Sequence, residues 1–264
     1  MLLKHRGTSL GLRRCAQRML FFVGGYMKIR NPFSQLTKSE WILWGISAAV
    51  VTVSFFFGEN NSILNLVASL TGVTSLIFVA KGDVFGQMLT VLFSIMYSII
   101  SYRFRYYGEM ITYLGMTAPV ALMSVISWLR HPFESGKAEV KIEKLTKAKI
   151  IALIVLNALI TTLFYFILMF FNTPNLIIST ISVTTSFAAA FLQFLRSPIY
   201  AVAYAANDIV LIILWTLASF ENPSFISVVA CFTAFFANDI YGFINWRRMK
   251  KRQNKITEIN RQSS

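Results

Sequence analysis

Four residues in one late apolar stretch carry chemistry that a membrane interior tolerates poorly: Tyr200, Tyr204, Asn207 and Asp208. Their spacing is i, i+4, i+7 and i+8, which puts them on one stripe of an α-helix. Two phenol rings, an amide and a carboxylate on one face can stack on a flat heterocycle and hydrogen-bond its hydroxyls. Trp215 lies one turn beyond Leu211 on a similar face. Gln193, just before Arg196-Ser197-Pro198, offers an amide at a helix end, either to a substrate or to cap the loop. Gln87, in an earlier apolar stretch with Tyr97, offers another. Polar groups inside a span are costly and often functional. The same stripe also serves as an interhelical hydrogen-bond network, worth about 1 kcal/mol per bond. The residue types and their shared face favour a substrate site.

The pattern around Asn207 recurs. Ala206-Asn207-Asp208-Ile209 followed by Trp215 matches Ala237-Asn238-Asp239-Ile240 followed by Trp246 at equal spacing. Asn238 and Asp239 lie nearer the end of their stretch, where packing is the expected role and Arg247 is placed to pair with Asp239. Glu109 stands beside Arg103, Arg105, Tyr106 and Tyr107. It is expected to pair with Arg105 or to stabilise a helix N-terminus, and the tyrosines read as an interfacial aromatic belt. Asn157 reads as an interhelical or oligomer contact. No Walker loop, His-Glu-x-x-His or Gly-x-Ser-x-Gly pattern occurs, so neither ATP-driven nor hydrolytic chemistry is expected. The histidines, His5 and His131, lie outside the apolar stretches, and Cys15 and Cys231 are far apart. Neither a disulfide, a metal site nor a cofactor is expected.

These residues need a membrane-spanning frame. Hydrophobic residues make up 56% of 264 and charged residues 14%, against about 25% charged in a soluble domain. Eight apolar runs are long enough to cross the hydrocarbon as helices: 41–57, 63–80, 84–101, 108–128, 150–171, 176–195, 200–220 and 225–246. They do not alternate as barrel strands do. The basic residues then sort to one side. Lys4, Arg6, Arg13, Arg14, Arg18, Lys28, Arg30 and Lys38 precede the first run, and Arg247, Arg248, Lys250, Lys251, Arg252, Lys255 and Arg261 follow the last. Lys81, Arg196 and the central loop with Arg130, Lys137, Lys141, Lys144, Lys147 and Lys149 fall on the same side; Arg103 and Arg105 fall opposite. Lysine and arginine accumulate in cytoplasmic loops. Both termini are therefore expected in the cytoplasm. The net charge of +14 then reads as orientation rather than as a nucleic-acid surface.

The expected organisation is a basic segment 1–40, an additional helix 41–57, a three-helix group 62–130, a cytoplasmic loop 131–149, a linker helix 150–171, a second three-helix group 176–246 and a basic tail 247–264. Residues 1–27 are basic with a short apolar patch at 19–23, too short to span, and are read as an interfacial helix or an upstream extension. The two groups echo each other. Thr74-Ser75 and Thr185-Ser186 sit in their first helices, with Lys81 and Arg196 following. Each closes on a tryptophan and basic residues, Trp128-Leu129-Arg130 and Trp246-Arg247-Arg248. One intervening helix gives both groups the same orientation. That is a parallel repeat with a substrate site between the halves near the midplane.

Three short motifs, in order and at matching spacing, carry a family resemblance over about residues 41–252: Val79-Ala80-Lys81-Gly82, Tyr107-Gly108-Glu109, and Ile240-Tyr241-Gly242-Phe243-Ile244-Asn245-Trp246-Arg247-Arg248. The chain resembles the PnuC vitamin transporters. The resemblance implies an all-α polytopic fold of about eight transmembrane helices arranged 1+3+1+3, as in the SWEET sugar transporters. It implies uptake of nicotinamide riboside by facilitated diffusion across a bacterial inner membrane, a homotrimer, and trapping of the imported riboside by a cytosolic kinase. The family's Trp-x2-Trp-x3-Asn reads here as Tyr200, Ala203 and Asn207, with Tyr204 adjacent to supply the second ring. Wider relatives move thiamine, riboflavin or deoxynucleosides. Outside the transporter class stand a scaffold or receptor subunit and a lipid head-group transferase; the transferase would require clustered carboxylates that the sequence lacks.

Overall fold

A computed structural model describes residues 31–56, 63–103, 107–134, 139–221 and 223–262. Residues 1–27 lie outside it. The chain divides into Met1–Trp41 and Ile42–Ser264. In the first unit a 3-10 turn at Pro32–Gln35 is capped by Asn31, whose Oδ1 accepts from Phe33 N at 3.0 Å. Thr37 N then donates to Glu40 Oε2 at 2.7 Å, a side-chain cap on the first orphan amides of the helix that follows.

Among the described residues eight helices are long and apolar enough to cross a membrane: α1 (Lys38–Phe56), α2 (Ile63–Ala80), α3 (Val84–Arg103), α4 (Tyr107–Arg130), α5 (Lys147–Phe170), α6 (Leu176–Phe194), α7 (Tyr200–Glu221) and α8 (Ile226–Gln262). Among the described residues there is no strand, only isolated bridges. In lipid the backbone has no water to bond, so an internally bonded helix is the stable solution. Hydroxyls are satisfied in the same way: Ser94, Ser98 and Ser124 donate to the carbonyl four residues back at 2.7–2.9 Å. The predicted runs and the helices agree closely except at two places. α4 contains a π turn at Tyr113–Thr117, and α8 runs well beyond Trp246, where the hydropathy falls but the helix continues.

The helices close into a ring. α2 packs on α3, α3 on α4, α4 on α6, α6 on α7, α7 on α8, and α8 back on α2. α5 lies outside the ring against α6 and leaves Ile151, Ile154, Leu159, Phe166 and Phe170 exposed. From Ile42 on, α1 is also outside: Trp44 Nε1 donates to Thr74 at 3.1 Å and Ser47 Oγ accepts from Asn238 at 2.8 Å. Small residues set how closely helices approach. A Cβ on Gly86 would lie 2.4 Å from Val79 N and 2.8 Å from Ser75 O, so α3 crosses α2 where only glycine fits.

At the basic end, the α2–α3 and α6–α7 turns share one design. Gly82 and Arg196 both adopt positive φ, +68° and +59°. Gly82 N donates to Val79 O and Arg196 N to Gln193 O, each at 2.9 Å. Phe85 N donates to Asp83 Oδ1 at 3.0 Å and Ile199 N to Ser197 Oγ at 3.4 Å. Each turn is then gripped by the other group's closing tryptophan. Trp246 Nε1 donates to Val79 O at 2.9 Å, and Trp128 Nε1 to Gln193 O at 3.2 Å. The structural match pairs Gly82 with Arg196, one residue away from the Lys81–Arg196 echo read in the sequence.

The loop between α4 and α5 lies across these turns. Val140 N donates to Gly82 O at 3.0 Å and Glu143 N to Arg196 O at 3.2 Å. The Glu143 carboxylate pairs with Lys149 and Arg196. Its pKa is held below the ordinary carboxylate range, chiefly by the hydrogen bond from Lys149 and further by Arg196.

Two outcomes follow. Gly86→Ala is expected to cost about 1–3 kcal/mol through overpacking against backbone, while Gly45→Ala, with nothing within 4 Å of its Cβ, leaves stability unchanged or slightly raised; thermal unfolding in detergent checks both. For Glu143 the folded pKa is depressed, so its stabilisation is complete above the unfolded value of about 4.3 and disappears as pH falls through the lower folded value. The difference in Tm between the parent and Glu143→Gln is therefore expected to be constant from about pH 8 to 5 and to shrink below about pH 4.

Candidate functional site

The stripe on α7 forms as one face, but its members meet different neighbours. Tyr200, only 1% exposed, packs edge-on against Trp246 with ring centroids 4.8 Å apart. Trp246 meets Trp128 at 5.5 Å. The Tyr200 hydroxyl is buried without a hydrogen-bond partner, beside Gly242, where an added Cβ would sit 3.1 Å from it. Tyr200 is thus wall material at the basic end. One turn on, Tyr204 is half-buried, meets Tyr200 edge-on at 6.2 Å, and donates from Oη to Gln193 Oε1 at 3.2 Å. Gln193 serves twice, its backbone carbonyl holding Trp128 and its side chain orienting Tyr204.

Asn207 is buried against α6. Its Oδ1 accepts from Thr185 Oγ1 at 2.8 Å and from Ser182 Oγ at 3.3 Å. The acceptor end of the amide is therefore used, and Nδ2 is left as the donor. Asp208 is also buried, with the Asp239 carboxyl of α8 as its neighbour. The two residues are 3% and 4% exposed. No Lys or Arg occurs in 63–80, 84–102, 107–129, 150–194 or 200–246, so this face sits in an interior that holds acids and no bases.

The other expected residues fall elsewhere. Gln87 on α3 is fully buried with both amide atoms unpartnered. Trp215 joins Leu211, Leu214 and Phe232 in a separate apolar cluster, its ring 5.2 Å from Phe225. Arg247 lies 5.3 Å over the Phe243 ring rather than on Asp239, because Asp239 faces Asp208. Asn238 Nδ2 ties α8 to α1 through Ser47. Arg105 and Tyr106 lie outside the described residues, so the expected Glu109–Arg105 pair does too. Tyr97 and Tyr113 pack together with ring centroids 4.4 Å apart. Sequence reasoning missed Ser182 as a partner of Asn207; a hydroxyl one turn before Thr185 was the available signal. Among the described residues no group of His, Cys, Asp and Glu could hold a metal ion.

A family model described as nicotinamide mononucleotide transporter matches residues 62–248. The chain belongs to that family. Members of this transporter family among its relatives include the nicotinamide riboside transporter PnuC of Neisseria mucosa, 27% identical over 231 residues, 84% of this chain and 86% of that one. The PnuC of Haemophilus influenzae is 22% identical over 228 residues, covering 86% and 98%. The crystal structure of the vitamin B3 transporter PnuC superposes with a TM-score of 0.70 at 26% identity, covering 83% of this chain and 94% of that one. The matched fold and family make this chain a multi-pass bacterial membrane transporter, not an enzyme.

Thr185→Val removes the shorter of the two bonds to Asn207 Oδ1 and is expected to cost about 1 kcal/mol of stability. Thr162→Val, at an exposed position on α5 bonded within its own helix, is expected to leave the unfolding temperature unchanged.

Proposed function

We propose that the chain takes up nicotinamide riboside, and that the face built by Tyr204, Asn207 and the Asp208–Asp239 pair receives it. The family description names a mononucleotide and the relatives name a riboside. The interior acidity favours the riboside. A phosphate brought to Asn207 would meet two carboxyls and no Lys or Arg, whereas the riboside's pyridinium ring is a cation. Aromatic faces attract cations, so the Tyr204 ring and the carboxyl pair suit the ring, and Asn207 Nδ2 suits the carboxamide or a ribose hydroxyl. Gln193 holds Tyr204, Tyr200 walls the basic end, and Gln87 supplies the first group's amide. Trp215 closes the opposite end.

The two three-helix groups, α2–α4 and α6–α8, act as parallel repeats that rock about this face and expose it alternately. Both termini lie in the cytoplasm, transport is facilitated diffusion, and a cytosolic kinase traps the product. The exposed apolar face of α5 fits a trimer of this chain.

Calorimetry on purified protein tests the reading. Micromolar binding of the riboside is expected, with no binding of the mononucleotide, thiamine, riboflavin or thymidine. Asn207→Ala is expected to weaken riboside binding about tenfold, equivalent to about 1.4 kcal/mol. Tight binding of another vitamin would move the substrate within the family, and binding of the mononucleotide would overturn the charge argument.

A further inference from the structure

The loop at the basic end does more than connect α4 to α5. Residues 139–143 run as an extended strap that is bonded to equivalent turns in both groups, Val140 N to Gly82 O and Glu143 N to Arg196 O. Val140 is fully buried and sits in the apolar cluster that contains Trp128, Trp246, Tyr200 and Met249. It therefore stops the seam at which the two closing tryptophans meet. Gln253, beyond the apolar part of α8, clamps the strap with its whole amide: Oε1 accepts from Ile142 N at 2.9 Å, and Nε2 donates to Val140 O at 3.0 Å and Glu139 Oε1 at 2.7 Å. Arg252 pairs with Glu139.

The two attachments differ in what release would expose. Arg196 is nearly buried, and its Nε and Nη1 have no partner. Detaching Glu143 would leave a buried guanidinium without its carboxylate, a strongly unfavourable state. Detaching Val140 from Gly82 breaks one backbone bond and withdraws an apolar side chain, but leaves no charge unpaired. The Trp246–Val79 bond and the bond from Asn245 Nδ2 to Ala80 O, at 2.8 Å, lie on the same seam.

We propose that residues 139–143 are the gate strap of the basic end: substrate leaves there only after Val140 releases Gly82, with the strap staying on Arg196 and Gln253 and moving with α6–α8. This rests on the transport reading above, in which substrate passes between the two groups.

Asp83 and Glu139 are paired across the seam as an antiparallel bridge, which places cysteines there within disulfide reach. The test uses Asp83→Cys with Glu139→Cys, in protein whose Cys15 and Cys231 are replaced by serine, reconstituted in liposomes. Oxidation is expected to slow riboside uptake about tenfold or more, with recovery on reduction and with riboside binding retained in the oxidised form. Uptake at the reduced rate in fully cross-linked protein overturns the proposal. Residue-resolved amide exchange on the unaltered protein reads the same event without substrate. The Val140 amide is expected to exchange about tenfold faster than the Glu143 and Ile142 amides, and equal or slower exchange at Val140 overturns the strap. Absence of uptake in the reduced protein would instead fail the transport reading, and the exchange result would then decide the strap alone.

Discussion

Two indole N–H groups join the halves of this bundle by reaching across to each other's first helix. Trp246 takes the carbonyl of Val79 and Trp128 the carbonyl of Gln193. Both carbonyls lie three residues before a left-handed residue, where a helix ends, and each also accepts from that residue's own N–H at 2.9 Å. A carbonyl has a second lone pair to offer. The reciprocal arrangement uses it to satisfy the indole donor of each buried tryptophan, which lipid could not. It also fixes how the two groups of three helices face each other. The Tyr200 ring rests on Trp246, Tyr204 rests on Tyr200, and the position of the candidate site follows from there.

A second constraint concerns charge. The helical interiors contain carboxyls and amides but no basic side chain, and the basic residues stay at the ends. Arg196 is the near exception. It is buried at the basic end and held by Glu143. Because Asn207 spends its acceptor on Thr185 and Ser182, what the face presents is a donor, an aromatic ring and two neighbouring carboxyls. In the proposed site that combination would select by charge before it selects by shape.

The spans were legible because hydropathy over a helix length reports lipid contact directly. The same measure could not follow α8 past Trp246, since it registers apolarity and not helicity. The stripe from Tyr200 to Trp215 was correct as a helical face but not as a single environment. Over four turns a straight helix passes from Trp246 and Gln193 to Phe225 and Phe232, and periodicity carries no record of the neighbours. Arg247 was misread for a related reason: proximity in sequence to Asp239 is not proximity once Asp239 faces α7. The echo between the groups was one residue out because it matched basic side chains, whereas the fold matches backbone conformation, glycine in one turn and arginine in the other.

The continuation of α8 beyond its apolar segment has a consequence for where this protein ends as a machine. Met249 and Gln253 lie one and two helical turns past Trp246, yet the first packs under Gly82 and the second clasps the loop that covers both turns. A chain cut just after Trp246 would keep every membrane crossing and every residue of the α7 face while losing its grip on its own lid. The working boundary of the transporter is therefore aqueous, and a fusion or a cut in that tail bears on turnover as well as on expression.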